Sequence, residues 1–173
     1  MLPSSFRYGT HYGVAANIFG DGGYEFPGTM AYQNSAHCTQ ADCGDCHMAE
    51  SSDTLYGGHT WRVKDANGNE NVAACTKCHA GATSFDIEGK QTEIAALIQE
   101  LGNKIYDTWG LLEKDNEGNF TGYIWSSSTT KYNISYKQAA CVINFQLALR
   151  DKSNGVHNYK YTKALLRNTI DAI

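Results

Sequence analysis

Two five-residue stretches concentrate the reactive side chains of this chain: Cys43-Gly44-Asp45-Cys46-His47 and Cys75-Thr76-Lys77-Cys78-His79. Each sets two thiols with two residues between them and follows the second at once with an imidazole. Thiols in that pattern can add to the two vinyl groups of a haem, and the adjacent imidazole then comes to lie under the iron. Two Cys-x-x-Cys pairs could instead hold a four-thiolate structural zinc, but that use leaves both histidines without a role. Two copies among six cysteines favour the haem chemistry. The expectation is two covalently bound haem c groups on Cys43, Cys46, Cys75 and Cys78, with His47 and His79 as proximal iron ligands.

The remaining axial position of each iron decides between electron transfer and catalysis, because a second protein ligand closes the metal to reactants. Of six histidines, His11, His37, His59 and His157 are free to fill the two positions. Met48 adjoins a proximal histidine and cannot reach round its own haem, and Met1 and Met30 lack a supporting context. Two bis-histidine, low-spin haems are the economical arrangement, with low reduction potentials relative to a Met/His site. No residue is assigned a catalytic role.

Other residues extend the pattern. Tyr32-Gln33-Asn34-Ser35-Ala36-His37 precedes the first motif, Gly57-Gly58-His59-Thr60-Trp61-Arg62 separates the two, and Gly155-Val156-His157-Asn158 and Leu165-Leu166 follow a long helical gap. In order and approximate spacing this resembles the C-terminal two-haem portion of the pentahaem cytochrome c nitrite reductases and related multihaem cytochromes, from about residue 12 to the end. The resemblance implies that His157 serves the haem of His47, and that His37 serves the haem of His79. It matches His59 to a ligand of an upstream haem, and His11 lies where such ligands are also found, yet the chain has no upstream motif. Both are therefore surplus, as ligands to a haem in a neighbouring subunit or as hydrogen-bonded surface imidazoles. The lysine-ligated catalytic haem of that family has no counterpart here, so the resemblance carries over an electron-carrying haem pair rather than nitrite chemistry.

The elements that must position these groups divide the chain in two. Residues 1–90 are dense in Gly, Ser, Thr, Asn and Asp without sustained periodicity, and read as loops and turns whose core a cofactor must supply. Residues 91–173 are helical. Ile94, Leu97, Ile98, Leu101 and Ile105 share one face of a helix over roughly 91–113, weakened but not ended by Gly102. A turn at 115–119 and a short extended piece at 120–125 follow. A largely buried helix spans 132–152 and is stopped by Asn154-Gly155, and a last helix begins after Asn158 as N-cap. The expected fold is mainly α, with an irregular dihaem-binding half packed on a helical half in one compact domain. Asp65 to Glu70 and Asp115 to Asn119 superficially resemble calcium loops, but neither continues to the bidentate Glu, and turns explain them.

The formal charge of −4 falls to roughly −6 once each haem adds two propionates against one net ferric charge, and there is no basic stripe for nucleic acid. No apolar run approaches the ~18 residues of a membrane span. Haem attachment to such motifs normally occurs outside the bacterial cytoplasm, and residues 1–7 hold no apolar signal core. The expectation is an exported chain, periplasmic or extracellular, whose signal has been removed or which is a piece of a longer protein. Export favours a bridge between the two remaining cysteines, Cys38 and Cys141. Partners would be redox proteins or further copies of the chain. Two alternatives to a simple electron carrier are a filament or oligomer with haems continuous between subunits, and a reduced nitrite-reductase-like or peroxidase enzyme with one open iron.

Overall fold

The computed structural model describes residues 14–124 and 133–173. The described chain is mainly helical with one small two-stranded sheet. Four short helices, α1 (Val14–Ile18), α2 (His37–Gln40), α3 (Cys43–His47) and α4 (Ala73–Thr76), come first; the long helix α5 (Lys90–Trp109) follows. An antiparallel hairpin of β1 (Leu112–Lys114) and β2 (Phe120–Ile124) leads to α6 (Tyr136–Asp151) and α7 (Tyr159–Ala172). None of these helices is long and apolar enough to cross a membrane.

Helices α5, α6 and α7 pack mutually around one apolar cluster. The stripe read from the sequence, Ile94, Leu97, Ile98, Leu101 and Ile105, is buried against Val142, Phe145, Leu166 and Ile170. Helix α5 stops at Trp109, short of residue 113, because Gly110 takes a left-handed φ of 63° and its N–H closes on the Tyr106 carbonyl, a conformation only glycine adopts cheaply. Leu111 and Leu112 then enter the core from the hairpin rather than from a helix. Gly102 has a packing reason inside α5: a Cβ there would stand 2.5 Å from the Phe120 ring and 2.9 Å from Phe145.

Helix α6 begins at Tyr136, where Ser135 accepts from the Gln138 N–H and Gln138 accepts from the Ser135 N–H, a capping box visible as Ser-x-x-Gln. The expected span from 132 and the strand residue Trp125 fall partly outside the described residues. The other end of α6 also differs from expectation: Lys152 takes the left-handed cap with φ 58°. Gly155 instead allows close approach, since a Cβ there would meet Ile94 Cγ1 at 2.7 Å. Asn158 does precede α7, but its side chain does not cap it. Its Nδ2 donates to Asn17 O, Ile18 O and Asn34 Oδ1, and its Oδ1 accepts from the Ser35 N–H. The Lys160 N–H at the start of α7 is taken up by Ser35 Oγ.

Asparagines on the helical half also bind the segment before the first motif. Asn144 accepts from the Tyr24 N–H at 2.7 Å and donates to the Tyr24 carbonyl at 2.8 Å, and Asn168 does the same with Met30. Both are fully buried, so their paired amide bonds replace water completely. Residues 39–90 are built otherwise. Only Ala49, Gly57 and Asn71 are buried in that stretch, and its order comes from turns: Asp65 Oδ1 accepts from the N–H groups of Asn67 and Asn69, and the Asn71 amide donates to the Ala49 carbonyl.

Candidate functional site

Helix α3 consists of the first motif itself, so Cys43, Cys46 and His47 fall at i, i+3 and i+4 and share one helical face. The Asp45 carboxylate accepts from the Asp42 N–H at 2.8 Å and fixes the start of that turn. The second motif begins within α4, and helical hydrogen bonding continues from the His79 N–H to the Cys75 carbonyl at 2.7 Å. Helices α3 and α4 are neighbours. Burial raises the Cys46 thiol, with the Asp45 charge adding to it; burial likewise raises Cys75, which also feels Cys46.

Four of the candidate histidines lie in two pairs. The rings of His47 and His157 have centroids 6.2 Å apart, and those of His37 and His79 lie 6.1 Å apart. Two metal–imidazole bonds of about 2 Å each, plus the offset from donor nitrogen to ring centre on either side, come to roughly 6 Å. Among the described residues no three or more His, Cys, Asp or Glu side chains gather to hold a bare metal ion.

The hydrogen bonds set the tautomers. His47 Nδ1 lies 2.9 Å from the Trp61 carbonyl, His37 Nδ1 2.8 Å from the Val156 carbonyl, and His157 Nδ1 2.7 Å from Asp151 Oδ1. Carbonyl and carboxylate oxygens only accept, so Nδ1 carries a proton in each ring and Nε2 is the nitrogen left to face a metal. The loop between α6 and α7 serves both pairs, because His157 stands on it and its Val156 carbonyl orients His37. Cys38 Sγ lies 3.9 Å from the His157 carbonyl and draws the same two segments together.

Other expected groups are placed apart. His59 sits exposed on a single 3-10 turn (Gly58–Thr60), where it lines an open cleft of about 780 Å³ with Met48, Asp53 and Tyr56. His11 lies outside the described residues. The expected Cys38–Cys141 bridge is not formed, and both thiols are free. Cys141 is wholly enclosed in the α5–α6–α7 cluster, where burial pushes its thiol up to about 11, whereas Cys38 faces the His157 loop. Asp151, Trp61 and Val156 were not foreseen. Carbonyl acceptors leave no trace in a sequence, but an aspartate six residues before His157, at the end of an apolar helix, was a signal available to be read.

Comparison with known proteins finds no matching family, no similar curated protein and no similar solved structure.

Proposed function

We propose that the chain is a dihaem c-type cytochrome that carries single electrons through two bis-histidine sites and has no substrate chemistry of its own. One observation carries this: each of the two imidazole pairs joins the histidine of a Cys-x-x-Cys-His motif to a second histidine at the separation of two ligands on one iron. When bound, haem would supply a one-electron ferric–ferrous couple and the four equatorial nitrogens that an imidazole pair lacks. Cys43 and Cys46 would hold one group and Cys75 and Cys78 the other. His47 with His157, and His79 with His37, would supply the axial ligands.

The donor set fits such a group in a second way. Residues 39–90 have well-defined turns but no apolar core of their own, which is the condition of small segments that depend on a metal or cofactor for stability. Export to the periplasm or cell exterior, and redox proteins as partners, belong to the same proposal. The test is direct: the purified chain should carry two covalent haems by alkaline pyridine spectrum and mass, both low-spin in the ferric state. A chain without covalent haem would defeat the proposal.

A filament or oligomer with haems continuous between copies is the second reading, favoured by the exposed His59, which belongs to neither pair. Sedimentation of the holoprotein separates the two, since a strict monomer rules out the assembly. Rapid carbon monoxide binding to the reduced protein would instead favour an enzyme with an open iron.

A further inference from the structure

The two imidazole pairs differ in what stands behind them. His37 and His47 donate to neutral backbone carbonyls, whereas His157 donates to the carboxylate of Asp151 at 2.7 Å. Among the described residues, it is the only one of the four paired imidazoles hydrogen bonded to a charged group. The Asp151 side chain is 1% exposed, so water screens it little and its field acts at nearly full strength on the ring it touches. Ser153 donates its hydroxyl to the other carboxylate oxygen, and Ser153 Oγ accepts from the His157 N–H at 3.3 Å. The carboxylate, hydroxyl and imidazole thus form one small network at the end of α6.

We propose that Asp151 is a positioning residue that, acting through His157, makes the His47/His157 site the lower-potential of the two. This rests on the dihaem assignment above. An imidazole whose Nδ1 proton is shared with a carboxylate is a stronger donor at Nε2 and favours the more positive oxidation state of the metal. The buried negative charge acts in the same direction.

A competing anion exists on the other side. Glu88 bears electrostatically on His79, but its side chain is 74% exposed and bonded to Lys90 at 2.6 Å. Solvent and the ammonium group together screen it. Glu70, which bears on Cys75, is likewise held by Lys64 at 2.7 Å and by the Phe85 N–H, so Asp151, the most enclosed of the three carboxylates, exerts the strongest field on the ring it touches.

The experiment is a potentiometric titration of the holoprotein followed by visible absorbance, which should resolve two one-electron steps. D151N should raise the lower of the two potentials by a factor of ten or more in the reduction equilibrium, about 59 mV for one electron, and leave the upper step in place. S153A, which strips the carboxylate of a hydrogen-bond donor, should move the same step the opposite way. Equal movement of both steps, or movement of neither, would overturn the inference. Should D151N fail to fold or to retain haem, S153A decides alone: a downward shift of the lower step supports the inference and an unchanged step defeats it. Haem stoichiometry measured on the same samples keeps this result separate from failure of the dihaem assignment, which would appear as a chain without covalent haem.

Discussion

His157 and His37 are the side chains on which the proposed closure of both irons depends, and each can be tested singly. H157A should leave covalent haem content at two while converting one of the two to a high-spin form that binds carbon monoxide; an unchanged low-spin spectrum would contradict the pairing. H59A should leave the isolated chain's spectrum as it was, because the His59 ring belongs to neither imidazole pair. The two Cys-x-x-Cys-His motifs are legible from residue type alone, whereas the partners of His47 and His79 were implied only by the resemblance, and it is the fold that sets His157 and His37 beside them. What was not legible is what holds the rings. The acceptors for His37 and His47 are main-chain oxygens whose positions depend on the path of the loop, and every residue carries such an oxygen. The proposed Cys38–Cys141 bridge failed for a similar reason: cysteine count gives a parity, whereas Cys141 was committed to the helical core by the apolar residues around it.

Helices α5, α6 and α7 owe their stability to the cluster they enclose. Leu101 is wholly buried, so L101A should cost about 2–5 kcal/mol, read as a lowered midpoint in denaturant with the haem spectrum unchanged. Ser135 to Ala removes the cap that meets the Gln138 N–H and should cost about 1 kcal/mol. Between α5 and α7, Glu93 accepts from Lys163 and from the Tyr159 hydroxyl. The bond from Lys163, then that from Tyr159, lowers the Glu93 carboxyl below its ordinary value, and the same pairing raises Lys163. The carboxylate's contribution is thus present above the ordinary glutamate value of 4.5 and fades as pH falls through the lowered one. That of the lysine is present below 10.5 and fades as pH rises through the raised one. E93Q should flatten the melting temperature against pH at both extremes and leave it nearly parallel to wild type between them. Periodicity exposed these helices because burial repeats every turn, but their ends escaped it. Gly110 and Lys152 close α5 and α6 through backbone angles, and Asn158 was drawn from capping into joining the end of α1 to the segment at Asn34.

The molecule as a whole joins a helical half with a well-packed apolar cluster to a stretch, 39–90, with almost nothing buried. The two should therefore respond differently to loss of the proposed cofactor. Chain produced without haem attachment should be cut by protease first within 39–90 while the segment from α5 to α7 resists, and the holoprotein should be protected in both; uniform digestion of the haem-free chain would contradict this. Composition grouped all of residues 1–90 together, whereas residues 17–34 are bound to the helical half. The asparagines that bind them could not be read from the sequence, because a buried Asn is indistinguishable from a surface Asn until its partner strand is known.

The loop between α6 and α7 carries His157 and, through the Val156 carbonyl, orients His37, and it lies far downstream of both Cys-x-x-Cys-His motifs. On the proposed reading, Cys43, Cys46, Cys75 and Cys78 would hold their groups without any residue of that loop, which contributes to the ring partners alone. Docking of α6 and α7 would bring His157 opposite His47 and fix His37 opposite His79 in a single event.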